Sequence, residues 1–101
     1  LFTAKPIPPS VSVGSKPKRV DISINRQSVN FVSFDETLEY QVLRYRGKVS
    51  NSKIWKDWSH INWNHFVDYD VIPGEIYGYA IRFKGKFNDV SNLSDWTEIT
   101  I

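Results

Sequence analysis

The stretch Val71-Ile72-Pro73-Gly74-Glu75-Ile76-Tyr77-Gly78-Tyr79-Ala80-Ile81-Arg82-Phe83 decides how this chain folds. Pro73-Gly74 is a sharp turn signal: proline presets the backbone and glycine takes the conformation that side chains resist. Beyond it, Tyr77, Tyr79, Ile81 and Phe83 recur at every second position. A period of two puts all four on one face of a strand, whereas a helix would scatter them around its axis.

Outward from this strand, the chain divides into short runs of the same kind. Val20, Ile22 and Ile24 alternate strictly, and further β runs cover 28–34, 38–46, 54–58, 65–71 and 96–101. Polar turns at 25–27 and 35–37, Gly47, and the loop 88–94 separate them. With 76–84 this makes seven strands, the pattern of an all-β, antiparallel β-sandwich. Composition agrees: Val, Ile, Thr, Tyr, Phe and Trp account for 39 of 101 residues, and Ala, Leu and Met for 6. That balance disfavours a helical bundle. Two runs break simple alternation. Val29 and Phe31 oppose Val32 and Phe34, and Tyr40 and Val42 oppose Leu43 and Tyr45. Either one bulge in each strand or a strand covered on both faces resolves the conflict.

Four of the five prolines lie in the first 17 residues. The stretch Lys5-Pro-Ile-Pro-Pro-Ser10 favours extended, polyproline-like backbone, so residues 1–16 read as a proline-rich linker or N-terminal arm and 17–101 as the domain. The chain has no methionine and starts at Leu1, which reads as a segment of a longer polypeptide.

The segment Val71-x-Pro73-Gly74-x-x-Tyr77 resembles the fibronectin type III family, in which Leu-x-Pro-Gly-x-x-Tyr precedes an alternating strand. The likeness extends over about Pro17 to Ile101: Val20-Asp-Ile22 is similar to the opening strand, and Val32-Ser33-Phe34 stands where members have Leu-Ser-Trp. Tyr40-Gln-Val42 and Tyr45-Arg46 match the third strand, Trp55 the aromatic after the following loop, and Ser94-Asp-Trp96-Thr97 the serine-rich start of the last strand. Phe34 keeps the bulk of the usual tryptophan and loses its indole N–H. The resemblance implies an immunoglobulin-like sandwich in which Tyr77 is a corner tyrosine, its hydroxyl bonded to backbone in the loop that crosses between sheets. Pro73, Gly74, Trp55 and Phe34 are then structural residues. It also implies a non-catalytic spacer or protein-docking module of a larger extracellular, cell-surface or phage-tail protein.

Sequence motifs for other chemistry are missing. The absence of cysteine rules out disulfides and zinc–thiolate sites. His60 and His65 stand without the spacing of a metal-binding motif, and Asp68-x-Asp70 lacks the calcium-loop pattern. No phosphate-binding loop, dinucleotide fingerprint or nucleophile elbow occurs, so no catalytic residue, metal or cofactor is expected. Lys and Arg are scattered at a net charge of +2, which does not suggest nucleic acid, and no apolar run approaches the roughly 20 residues of a membrane span. What stands out is Trp55-Lys-Asp-Trp58-Ser-His60-Ile-Asn62-Trp63, with three of the four tryptophans. Trp58, His60, Asn62 and Trp63 have the composition of a protein-docking or glycan-binding surface; alternatively, Trp55 is core and the others cover a sheet edge or a neighbouring module. The expected partners are adjoining domains or another protein, with a glycan as the alternative. Far-UV circular dichroism should show a β spectrum with at most a minor helical signal.

Overall fold

The computed structural model describes residues 6–24, 37–60, 64–85 and 90–101. Within them, seven strands form two antiparallel sheets. Strands β1 (Ser10–Ser15), β2 (Lys18–Ser23) and β5 (His65–Asp68) make one, in the order β1-β2-β5. Strands β3 (Thr37–Arg46), β4 (Lys53–His60), β6 (Ile76–Gly85) and β7 (Thr97–Thr100) make the other, in the order β4-β3-β6-β7. One 3-10 turn, Val49–Asn51, lies between β3 and β4.

The core is the space between these sheets. Val20, Ile22 and Ile24 from one meet Tyr40, Val42, Tyr77, Tyr79, Ile81 and Phe83 from the other, and all nine are buried. On β6 the inner residues are the alternating set Tyr77, Tyr79, Ile81 and Phe83, as the period of two requires. The β3–β6 register runs without a shift from Glu39↔Lys84 to Arg46↔Tyr77. Strand β3 therefore alternates simply, and Tyr45 is buried on the outer face instead of being turned inward by a bulge. Its ring crosses the backbone of Gly78, where any Cβ would overlap it, and meets Trp96 edge-on at 4.9 Å. The run 28–34, Phe34 included, lies outside the described residues.

The sheet begins earlier than the boundary at residue 17. Strand β1 comes from the stretch 1–16 and pairs with β2 from Ser10↔Ser23 to Ser15↔Lys18. Pro6 and Pro9 are fully buried, and Thr97 donates to the Pro9 carbonyl at 2.6 Å. Proline lacks the N–H for a central strand, but residues 10–15 contain none and β1 is an edge strand.

A buried polar cluster joins the sheets. Asp68 ends β5 on its inner face, with its side chain 1% exposed. Its Oδ2 accepts from Arg44 Nη1 at 2.8 Å and from the Tyr79 hydroxyl at 2.6 Å, and its Oδ1 accepts the Asp70 N–H at 3.0 Å. Burial, and then the bond to Asp68, pushes the Tyr79 hydroxyl well above its ordinary pKa. Burial works against the Arg44 cation, yet the hydrogen bond and charge of Asp68 outweigh it and raise the guanidinium's pKa.

Past this cluster the chain crosses to the other sheet. The Tyr77 hydroxyl accepts the Ile72 N–H at 2.9 Å, and Gly74 takes φ +88° in the turn that follows. Pro73 and Gly74 themselves are exposed. From Val90 the chain runs back along β6, and residues 91–96 form no regular strand. Ser91 N–H donates to the Phe83 carbonyl at 2.8 Å, while the Phe83 N–H donates to Ser91 Oγ at 2.8 Å. Ser94 does the same to Ile81, at 2.8 and 2.9 Å. Both serines are buried, so each closes one residue of β6 with its own backbone and hydroxyl.

Tyr77→Phe keeps the ring and leaves the Ile72 N–H without its acceptor. It should destabilise the domain by about 1–3 kcal/mol in urea unfolding; a change within about 0.5 kcal/mol would mean that water replaces the hydroxyl without loss.

Candidate functional site

Strand β4 supplies the tryptophans, and its pairing with β3 determines where they point. Between Tyr40↔Ser59 and Val42↔Lys56, β4 has one more residue than β3, and between Val42↔Lys56 and Leu43↔Ile54 it has another. Such bulges re-aim the side chains around them. Trp55 goes to the core side. It meets Tyr79 edge-on at 5.9 Å and Phe66 at 6.4 Å, and remains half-buried. Lys56 Nζ stands 5.1 Å from its ring centre.

Trp58 lies over the outer face of the four-stranded sheet. Lys84 Nζ is 4.3 Å and Arg82 Cζ 5.5 Å from its ring centre, within the range of cation–π attraction. Around it runs a connected polar strip. Arg82 Nε donates to Gln41 Oε1 at 2.6 Å, and Gln41 Nε2 donates to Asp57 Oδ1 at 2.8 Å. Asp57 Oδ1 also accepts the Trp58 N–H at 2.8 Å, and Lys84 pairs with Glu39 at 3.7 Å. The Gln41 bond, followed by the Trp58 N–H, holds the Asp57 carboxyl below its ordinary pKa. Gln41 is almost fully buried under this strip.

His60 closes β4 opposite Glu39, whereas Asn62 and Trp63 lie outside the described residues. Of the four surface residues expected from sequence, Trp58 is thus placed with its surroundings. The sequence reading missed Arg82, Lys84, Gln41 and Asp57 as its neighbours. The alternation of β6 already puts Arg82 and Lys84 opposite Tyr79, Ile81 and Phe83, but only the strand order brings that face under Trp58.

Lower on the same outer face, the Tyr45 hydroxyl donates to the Glu98 carboxylate beside Trp96. His65, on β5, is exposed and stands 3.6 Å from Asp21 on β2. Among the described residues, no three His, Cys, Asp or Glu side chains converge as a metal site would require. No described helix is long and apolar enough to cross a membrane.

No protein-family model matches the chain, and no curated protein matches it in sequence. Solved structures do match in fold. A myokine structure is similar at TM-score 0.70 with 11% identity, over 97% of this chain and 96% of that one. The third fibronectin III domain of the human KIAA0343 protein is similar at TM-score 0.62 with 14% identity, over 99% of this chain and 82% of that one. Pectate lyase Pel3 from Pectobacterium carotovorum is similar at TM-score 0.63 with 14% identity. There the match covers 93% of this chain and only 27% of the lyase chain. At these identities the likeness is one of fold.

Titration of Tyr45 gives a measurable consequence of the outer-face cluster. Burial first, then the Glu98 carboxylate, pushes its hydroxyl from 10.0 up to about 12. Below pH 10.0 the group is protonated in both the folded and the unfolded chain. Between 10.0 and about 12 the unfolded chain releases the proton and the folded chain keeps it, so stability falls as pH rises through that window. Tyr79, shifted the same way, adds to the decline. Urea unfolding of Tyr45→Phe should show a shallower fall above pH 10.0 than the parent chain; equal slopes would show that Tyr45 is not the titrating group.

Proposed function

We propose that this chain is a non-catalytic, fibronectin type III-like module of a larger extracellular, cell-surface or phage-tail protein. It acts as a spacer or as a docking unit for adjoining domains or another protein. The observation that carries this reading is how similar folds occur: one solved relative is a domain counted third of its kind, and another match takes up 27% of a much longer chain. The Pro73-Gly74-x-x-Tyr77 element and the Tyr77–Ile72 bond support membership in the same fold group.

The outer face around Trp58 supplies the docking surface. An aromatic ring with two cations and a connected carboxylate–amide–guanidinium strip offers apolar contact and charge pairing in one place. Aromatic and arginine side chains are the usual anchors of protein interfaces.

Trp58→Ala in the parent polypeptide tests this. Unfolding should stay within about 1 kcal/mol of the wild type, because the ring lies outside the sandwich core, while association with the adjoining domain or partner in analytical ultracentrifugation should weaken. Trp55→Ala should instead lower stability by roughly 3–5 kcal/mol, since its ring packs on Tyr79 and Phe66. Unchanged association in Trp58→Ala would remove this face from the docking role.

A further inference from the structure

At the opposite end of β4, the chain forms an open groove of about 680 Å³, within the size range of ligand sites. Its walls carry Arg44, Arg46, Lys53, Trp55 and Glu75, and the β3–β4 connection adds Ser50, Asn51 and Ser52. Gly47 makes the turn possible with φ +85°, and Asn51 Nδ2 fixes it by donating to the Arg46 carbonyl at 3.0 Å.

Three cations stand here, and carboxylates hold two of them, with Asp70 adding to Asp68 at 3.7 Å from Arg44. Arg44 is held by Asp68 at 2.8 Å, and Arg46 by Glu75 at 2.8 Å. Lys53 is exposed and, among the described residues, has no ion-pair partner. The groove is thus lined by the half-buried Trp55 indole, a row of hydroxyl and amide groups, and the Lys53 ammonium. An edge-on contact with Tyr79 orients that indole.

The geometry points to an acidic oligosaccharide as the ligand of this groove. A pyranose ring has an apolar face that matches an indole, and hydroxyls at its rim that match Ser50, Asn51 and Ser52. A carboxylate or sulfate on the sugar complements Lys53 and the exposed part of Arg46. The open shape receives a stretch of polymer better than a small enclosed ligand. A stretch of glutamates would satisfy the cations but has no ring face for the indole, so the sugar is the better fit. This site lies apart from the Trp58 face and goes beyond the module reading.

Isothermal titration calorimetry on the whole chain tests it, using an oligogalacturonate and a heparin oligosaccharide as acidic probes. A neutral cello-oligosaccharide and an oligoglutamate of equal length serve as comparisons. At least one acidic sugar should bind, with affinity falling as salt rises, and both comparisons should bind at least about tenfold more weakly. Lys53→Glu should weaken the acidic sugar by about tenfold or more with its urea midpoint unchanged, while Trp58→Ala should bind it as the parent does. Failure of both acidic sugars to bind, equal binding of either comparison, or indifference to Lys53→Glu overturns the proposal. None of these outcomes touches the docking role of Trp58, which ultracentrifugation reads separately.

Discussion

One carboxylate holds the geometry of this domain together. Asp68 sits at the end of β5, on the face that should carry an apolar residue, and takes hydrogen bonds from Arg44 on β3 and Tyr79 on β6. A buried ion costs several kcal/mol in lost hydration, and its partners repay that only when geometry and hydrogen bonding are good. Here three donors converge on it, and Arg44 keeps contact with solvent through a side chain that is 22% exposed. The pair is weak grounds for net stability, since an apolar pair of similar volume often does as well. What it fixes is position. With Asp68 bound to both β3 and β6, the two sheets cannot slide without leaving a charge stranded, and the same residue turns the chain by accepting the Asp70 N–H. Two residues later, Ile72 donates to Tyr77, so the crossing between sheets is pinned at both ends.

Strand β4 departs from this fixed frame. The regular β3–β6 pairing forms the centre of its sheet, and β4, an edge strand, accommodates two extra residues. An edge can do so because, among the described residues, its other side has no ladder to keep in step. Trp55 lies against the core and Trp58 over the charged outer face, three positions apart in a single strand, as alternation also requires.

Much of this was legible in the residues themselves. The alternation of β6 and the turn ahead of it specify a buried strand directly, because four large apolar side chains share one period. Strand β3 was ambiguous for a physical reason. Tyr45 is buried on the outer face by Trp96 and Gly78, and periodicity cannot separate a strand covered on both sides from one with a bulge. Arg44 and Asp68 were hidden because alternation assigns charged residues to solvent, and only the presence of each makes the other tolerable inside. Strand β1 was concealed by the prolines just before it, of which Pro6 and Pro9 are buried. The setting of Trp58 depended on strand order, a property no single segment contains, and the groove on a turn that brings residues 44–46 beside 53–55.

The serine clips after β6 have a consequence for how the molecule avoids its own kind. An unpaired strand edge offers a row of N–H and C=O groups to any passing chain, the starting point of fibre growth. At Ile81 and Phe83 that row is already filled by Ser91 and Ser94, each contributing a hydroxyl where a strand would present a carbonyl. A hydroxyl held in this way cannot hand the ladder on, because the serine's own backbone is committed to the same β6 residue. The irregular return therefore works as a terminator: it satisfies the edge beside it and offers no regular template beyond. Two copies of the chain that meet along this part of β6 therefore find no free ladder to extend there.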